Sequence, residues 1–168
     1  MFSVYLKCSD VRLVNKTMLE FAAVTRILEM KQYTQHGTTS VFEHLLSVSY
    51  MALRISRFFG IKIDSESMIR GALLHDYFLY DWHDKSSHRK LHGFYHPGIA
   101  LNNARQCMQL NSIETDIIKN HMFPLTLPAP KTKEGIIVSC ADKIVSLYET
   151  FKMNEWKNAR RRKEWNLK

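Results

Sequence analysis

The sequence predicts an all-α protein, a bundle of roughly six helices packed around one core. Apolar residues recur at spacings of three and four through most of the chain after Thr17. Strand-like alternation is nearly absent beyond residue 15. Several segments open on a capping residue and close on Gly or Pro.

Residues 1–15 alternate loosely, with Phe2, Val4, Leu6, Val11 and Leu13, and read as an N-terminal arm, a short strand or an irregular lead. From Thr17 the period becomes helical, with Phe21, Val24 and Leu28 on one side and Glu20, Arg26 and Glu29 on the other. His36-Gly37 should end this helix, since Gly supplies a left-handed C-terminal cap. Ser40 with Glu43 three residues later makes a capping box for a long second helix. Its stripe is Val41, Leu45, Val48, Ala52, Ile55 and Phe59, and Gly60 ends it. His44 borders the stripe and can point inward.

Asp64 caps a third helix carrying Met68, Ala72 and His75 on one face. Tyr80 to Tyr95 is charged, aromatic and rich in histidine, without a period, and reads as a long functional loop. His96-Pro97-Gly98 opens the next helix, with Pro97 near the first helical position. Asn111 and Glu114 signal another start, with Ile113, Ile117 and His121 on one face. Pro124, Pro128 and Pro130 make a connector. The last helix begins near Lys133, with the stripe Ile137, Cys140, Ile144, Leu147 and Phe151, and Asp142 beside it. A basic tail, residues 152–168, contains Arg160-Arg161-Arg162-Lys163. It is either a solvated helix end, the commoner meaning of such a run, or a nucleic-acid patch.

Composition bounds the function. The chain has 168 residues, which suits one domain, and 45% of them are apolar, enough for a core and too many for disorder. The formal charge of +8 favours anionic partners, small phosphorylated molecules among them. Three separated cysteines form neither a disulfide framework nor a zinc-finger pair, which suits a reducing interior. The N-terminus lacks a signal-peptide pattern and no apolar run is long enough to span a bilayer, so a cytoplasmic protein without membrane partners is expected.

The chemistry gathers on Leu74-His75-Asp76, where an apolar run leads into a histidine and a carboxylate. A buried carboxylate needs a positive or hydrogen-bonding partner, and a metal ion serves both side chains at once. His44 lies upstream, and His96, His121 and Asp142 lie downstream, each on or beside an apolar face. One such histidine is more often a core residue with a partner. Four of them with two inward aspartates leave many buried polar atoms to satisfy without a metal.

The order His44, His75-Asp76, His96, His121, Asp142 resembles the HD superfamily of metal-dependent hydrolases, in the branch with a two-metal site. The resemblance runs from about residue 36 to 150 and implies an HD-domain helical bundle. It further implies that His44, His75, Asp76 and Asp142 hold one ion, and that Asp76 bridges to a second at His96 and His121. The nitrogen and oxygen donor set suits iron, manganese, cobalt, nickel or zinc. Such ions acidify water and clamp a phosphate, which implies a phosphohydrolase acting on a mono- or diester of a nucleotide or other small anion.

Asp76 and two neighbours are the candidate catalytic groups. Asp81 stands where some HD hydrolases of guanosine polyphosphates carry an acid, though those enzymes place Glu before it and Tyr80 stands here. Lys143 is either a phosphate contact or a solvent-facing lysine. Arg89, Lys90 and His92 lie between the doublet and His96 and are candidate substrate contacts, with solvent-facing loop charges as the alternative for the first two. Met122 after His121 departs from the HD-GYP phosphodiesterases, which carry a second histidine there. The same six ligands suit a di-iron oxygenase cleaving C–C or C–P bonds. A third reading is a non-catalytic module that binds metal or nucleic acid.

Overall fold

The computed structural model describes residues 6–83 and 91–165, with side chains described as far as Phe151. Six α-helices carry the fold: α1 (Cys8–Val24), α2 (Val41–Phe58), α3 (Ser65–Leu74), α4 (His92–Cys107), α5 (Ser112–Asn120) and α6 (Lys133–Trp165). A 3-10 helix, Ile27–Gln32, and a two-stranded antiparallel hairpin, β1 (Thr34–His36) and β2 (Thr39–Ser40), join α1 to α2. The architecture is an all-α bundle with one small hairpin added.

The expected caps are present. Ser40 and Glu43 satisfy each other's backbone N–H groups at the start of α2, and Asn111 and Glu114 do the same for α5. Asp64 accepts from Ser67 N at the start of α3. α2 packs on α6 and on α3, α3 packs on α5, and α5 packs on α4 and α6. The core is built from Val14 and Phe21 of α1, Leu45 and Val48 of α2, Leu73 of α3, Ile117 of α5, and Val138 and Ala141 of α6, among others. Gly71 lets α3 and α5 close: a Cβ there would meet Ile117 Cδ1 at 2.6 Å.

Several expectations need correction. Residues 8–15 are helix, not arm, and α1 stops at Val24 rather than running on to His36. Its buried face is Val14, Met18 and Phe21, while Val24 and Leu28 are exposed. The two short strands are paired by a turn at Gly37, whose φ of 64° falls in the left-handed region. A segment this short, with Thr, Gln and His, carries too weak an alternation to read as strand. α4 begins at His92, so Pro97 lies inside it rather than at its start. On α6 the core face is Ile137, Val138, Ala141 and Val145; Cys140, Ile144, Leu147 and Phe151 are exposed. Apolar residues recur on two sides of that helix, and spacing alone does not say which side meets the core. The basic tail continues the path of α6 to Trp165, and its side chains lie outside the described residues.

No described helix is long and apolar enough to cross a membrane.

Candidate metal centre

The helix ends explain how six distant residues meet. His75 is the C-terminal cap residue of α3 and Asp76 follows it. The chain then turns, with Tyr77 N donating to Leu74 O and Phe78 N to Asp76 O. The turn is pinned from outside: the Tyr77 hydroxyl accepts from Arg26 N at 2.8 Å, and Asn103 Nδ2 donates to Tyr77 O at 3.0 Å. Neighbouring helical residues point about 100° apart, so leaving the helix here lets both side chains face one point. His121 caps α5 in the same manner. His44 comes from the first turns of α2, His96 from α4 and Asp142 from the middle of α6. All six are buried.

Asp76 lies between two groups of ligands. Its Oδ2 is 3.4 Å from His75 Nε2 and 3.9 Å from His44 Nε2. Its Oδ1 is 3.0 Å from His96 Nε2 and 3.5 Å from His121 Nε2. Asp142 Oδ1 joins the first group, 3.2 Å from His44 Nε2 and 3.9 Å from His75 Nε2. Two sets have donor atoms close enough to share an ion: His44, His75 and Asp142, and His75, Asp76 and His121.

The outer nitrogens show which way each imidazole is set. His75 Nδ1 faces Ala72 O at 2.7 Å, His96 Nδ1 faces His92 O at 3.1 Å, and His121 Nδ1 faces Ile118 O at 3.0 Å. His44 Nδ1 faces Glu149 Oε2 at 3.0 Å. Carbonyl and ionised carboxylate oxygens only accept, so every Nδ1 donates. In its neutral form each ring then turns a lone pair on Nε2 toward the centre, which is how a histidine is held to bind metal.

That arrangement asks for positive charge. His96 Nε2 and His121 Nε2 are 2.9 Å apart. His75 Nε2 and Asp76 Oδ1 are buried without a hydrogen-bond partner. A cation shared among these atoms satisfies all of them, so the donor set fits a metal ion.

The electrostatics treat the rings differently, and an ion at His44 Nε2 would take the place of a proton. Burial works against a charged His44, but Asp142 and Glu149 outweigh it and push its pKa up to about 10. Burial takes His75 the other way, down to about 4, with Asp76 opposing. Burial would raise Asp142, but the bond from His44 and the nearby His75 hold it well below the usual carboxylate range. Asp76 is likewise held low against its burial by His75 and His96.

Two site residues escaped the sequence reading. Gln35, on β1, donates from Nε2 to Asp76 Oδ2 at 2.7 Å. It lies outside any helical period, and nothing in its local sequence signals the contact. Glu149 lies two turns after Asp142, at a spacing that places both on one face of α6. That spacing from an inward aspartate was the available signal.

The remaining candidates divide. His92 lines the main cleft, with its ring stacked on Trp82 at 5.0 Å and on His96 at 4.7 Å, and its Nδ1 3.0 Å from the Tyr80 hydroxyl. Lys143 also lines the cleft, but its ammonium donates to His121 O, Ser139 O and Ser139 Oγ, tying α6 to the end of α5. Asp81 is half exposed, accepts from its neighbour His83 N, and lines a smaller groove beside Gln35 and His36. Arg89 and Lys90 lie outside the described residues.

Comparison with known proteins gives one match. The family model for the HD domain matches residues 41–147. No curated protein and no solved structure matches the chain. The matched span starts at the first residue of α2 and takes in all six candidate ligands. A match over more than half of the chain, around a buried site of this composition, makes the chain a member of the HD domain family, most of whose members are metal-dependent hydrolases.

Proposed function

We propose that the protein is a phosphohydrolase that cleaves a phosphate mono- or diester of a nucleotide or another small anion by water attack. The observation that carries this reading is the double-facing Asp76, whose two oxygens meet different pairs of histidines. A single structural ion would need only one of those oxygens.

His44, His75, Asp76 and Asp142 would hold one ion, and Asp76, His96 and His121 a second. Bound there, such ions supply Lewis acidity to water and to phosphate oxygens. The chain's own residues set the stage for that chemistry. The four Nδ1–H bonds fix the imidazoles, and Gln35 fixes one oxygen of Asp76, so little reorganisation is needed when charge develops. Lys143 adds positive charge behind His121 while holding its carbonyl. Asp81, at the edge of the site, is the proposed acid or base for water and leaving group. Arg89 and Lys90 are proposed to orient the substrate anion, and His92 to order the cleft wall. Arg89→Ala and Lys90→Ala should then raise KM at unchanged metal content, and His92→Ala should lower turnover.

The test is metal analysis of protein purified without added metal, followed by a screen of phosphate esters with and without oxygen. Ester hydrolysis without oxygen, read as released phosphate from a monoester or released alcohol from a diester and supported by several divalent ions, is the expected result. Iron-dependent oxygen consumption with no phosphate release would replace this reading with the di-iron oxygenase. Bound metal without turnover under either condition would leave a binding module.

A further inference from the structure

The cleft beside the candidate ligands narrows the substrate class, an inference that rests on the hydrolase reading above. The cleft has a volume of about 920 Å³ and opens beside Asp76, His96 and Asp142. Away from those ligands its apolar surface comes from Trp82, Met122, Pro124, Leu125 and Leu147, with Ser146 and Thr150 of α6 and His36 beside them. Leu125 and Leu147 are 47% and 59% exposed, so the rim is apolar as well as the wall. The wall therefore has two ends of opposite character, one built for an anion and one for an apolar body.

Two further observations weigh against the more ordinary occupants. Among the described lining residues Lys143 carries the only ammonium or guanidinium, and its donors are directed at His121 O, Ser139 O and Ser139 Oγ. Among the described lining residues the extra charges of a polyphosphate meet no cation beyond Lys143; Arg89 and Lys90, assigned above to the substrate anion, lie outside them. The one large aromatic ring, Trp82, is stacked on His92 at 5.0 Å and lies 3.8 Å from the ring of His83. Two rings already against Trp82 leave less of it for stacking on a nucleobase. Met122, Leu125 and Leu147 are aliphatic and offer contact surface rather than hydrogen bonds, Ser146 and Thr150 being the hydroxyls near them.

We propose that the substrate is a monophosphate ester of an apolar alcohol, alkyl or aryl, whose phosphate lies at the metal ligands and whose body lies along Met122, Leu125 and Leu147. The hydrolysis is balanced: water adds to phosphorus, the P–O bond to the alcohol breaks, and the alcohol leaves with a proton while inorganic phosphate is released.

The experiment uses the metal-loaded full chain and two homologous series. Hydrolysis is followed with n-alkyl phosphates of increasing length, with glycerol phosphate and a nucleoside triphosphate for comparison. Binding is followed by calorimetry with the matching n-alkylphosphonates, which cannot be hydrolysed at the P–C bond. The expected result is that kcat/KM and phosphonate affinity both rise about two- to fourfold per added methylene until the cleft is filled. Leu125→Ser and Leu147→Ser should flatten both trends with metal content unchanged, and Leu127→Ser, 83% exposed and not part of the wall, should leave them intact. A flat series in an active enzyme, or a preference for the triphosphate, overturns the apolar assignment and leaves the hydrolase reading standing. Chain-length-dependent phosphonate binding without hydrolysis of any ester overturns the hydrolase reading and keeps the apolar cleft. Neither trend overturns both.

Discussion

Glu149 Oε2 lies 3.0 Å from Nδ1 of His44, and both side chains are buried. The pair spans α6 and α2 and fixes the ring whose other nitrogen faces Asp142. Carboxylates in this position set the tautomer and raise the basicity of a histidine ligand. Glu149→Gln should therefore weaken metal affinity about tenfold to a hundredfold while the helix content is preserved. Competition with a chelator, read alongside circular dichroism, checks it; unchanged affinity would make Glu149 a packing residue only.

Metal occupancy should follow the geometry of Asp76. Because its two oxygens face separate histidine groups, Asp76→Ala is expected to empty both positions. His121→Ala should chiefly lose one ion and keep the ion at His44, His75 and Asp142. Metal-to-protein ratios by mass spectrometry decide between these patterns. Full occupancy in both variants would refute the ligand assignment.

Asp116 should hold the connector before α6. Its carboxylate accepts from Lys131 N, Thr132 N, Thr132 Oγ1 and Asn120 Nδ2. Burial would raise its pKa, but the bonds from Thr132 and Asn120 lower it below the ordinary value of 3.8. A carboxylate with a depressed folded pKa stabilises above its unfolded pKa and loses that stabilisation as pH falls through the folded value. Asp116→Ala should cost about 2–3 kcal/mol at neutral pH, since it leaves two backbone N–H groups unpaired. The gap between variant and parent should shrink as the pH drops below about 4. Urea denaturation at a series of pH values measures both effects, and a gap constant down to pH 2.5 would count against the bonded carboxylate.

Gly71 should tolerate no side chain. A Cβ there would lie 2.6 Å from Ile117 Cδ1 and 2.9 Å from Ile117 Cβ. Gly71→Ala should destabilise by about 1–3 kcal/mol through overpacking between α3 and α5, despite alanine's better helix propensity. Ile117→Val removes the nearest atom, so the double variant should recover part of the loss. A double-mutant cycle by thermal denaturation reads the coupling, and strictly additive losses would mean that the helices do not approach this closely.

The sequence by itself determined the six inward His and Asp positions, the caps and the helical class. His44, His75, Asp76, His96, His121 and Asp142 were legible because buried ionisable groups at inward positions are costly and need a common explanation. Ser40 with Glu43 and Asn111 with Glu114 were legible because a capping box is local, closed within four residues. What lies outside local spacing was decided by the tertiary structure alone. Which side of α6 meets the core was settled by packing against α2 and α5, so Val138, Ala141 and Val145 are buried while Ile144 and Leu147 face outward. Leu147 thereby became part of a cleft wall instead of the core. Gln35 reached Asp76 only because a hairpin turned at Gly37 brings β1 over the end of α3, a contact across 41 residues. Periodicity reports that a face is apolar or a residue is inward. The partner across the gap is set by how the helices pack, and that is where Asp76 acquired its two separate sides.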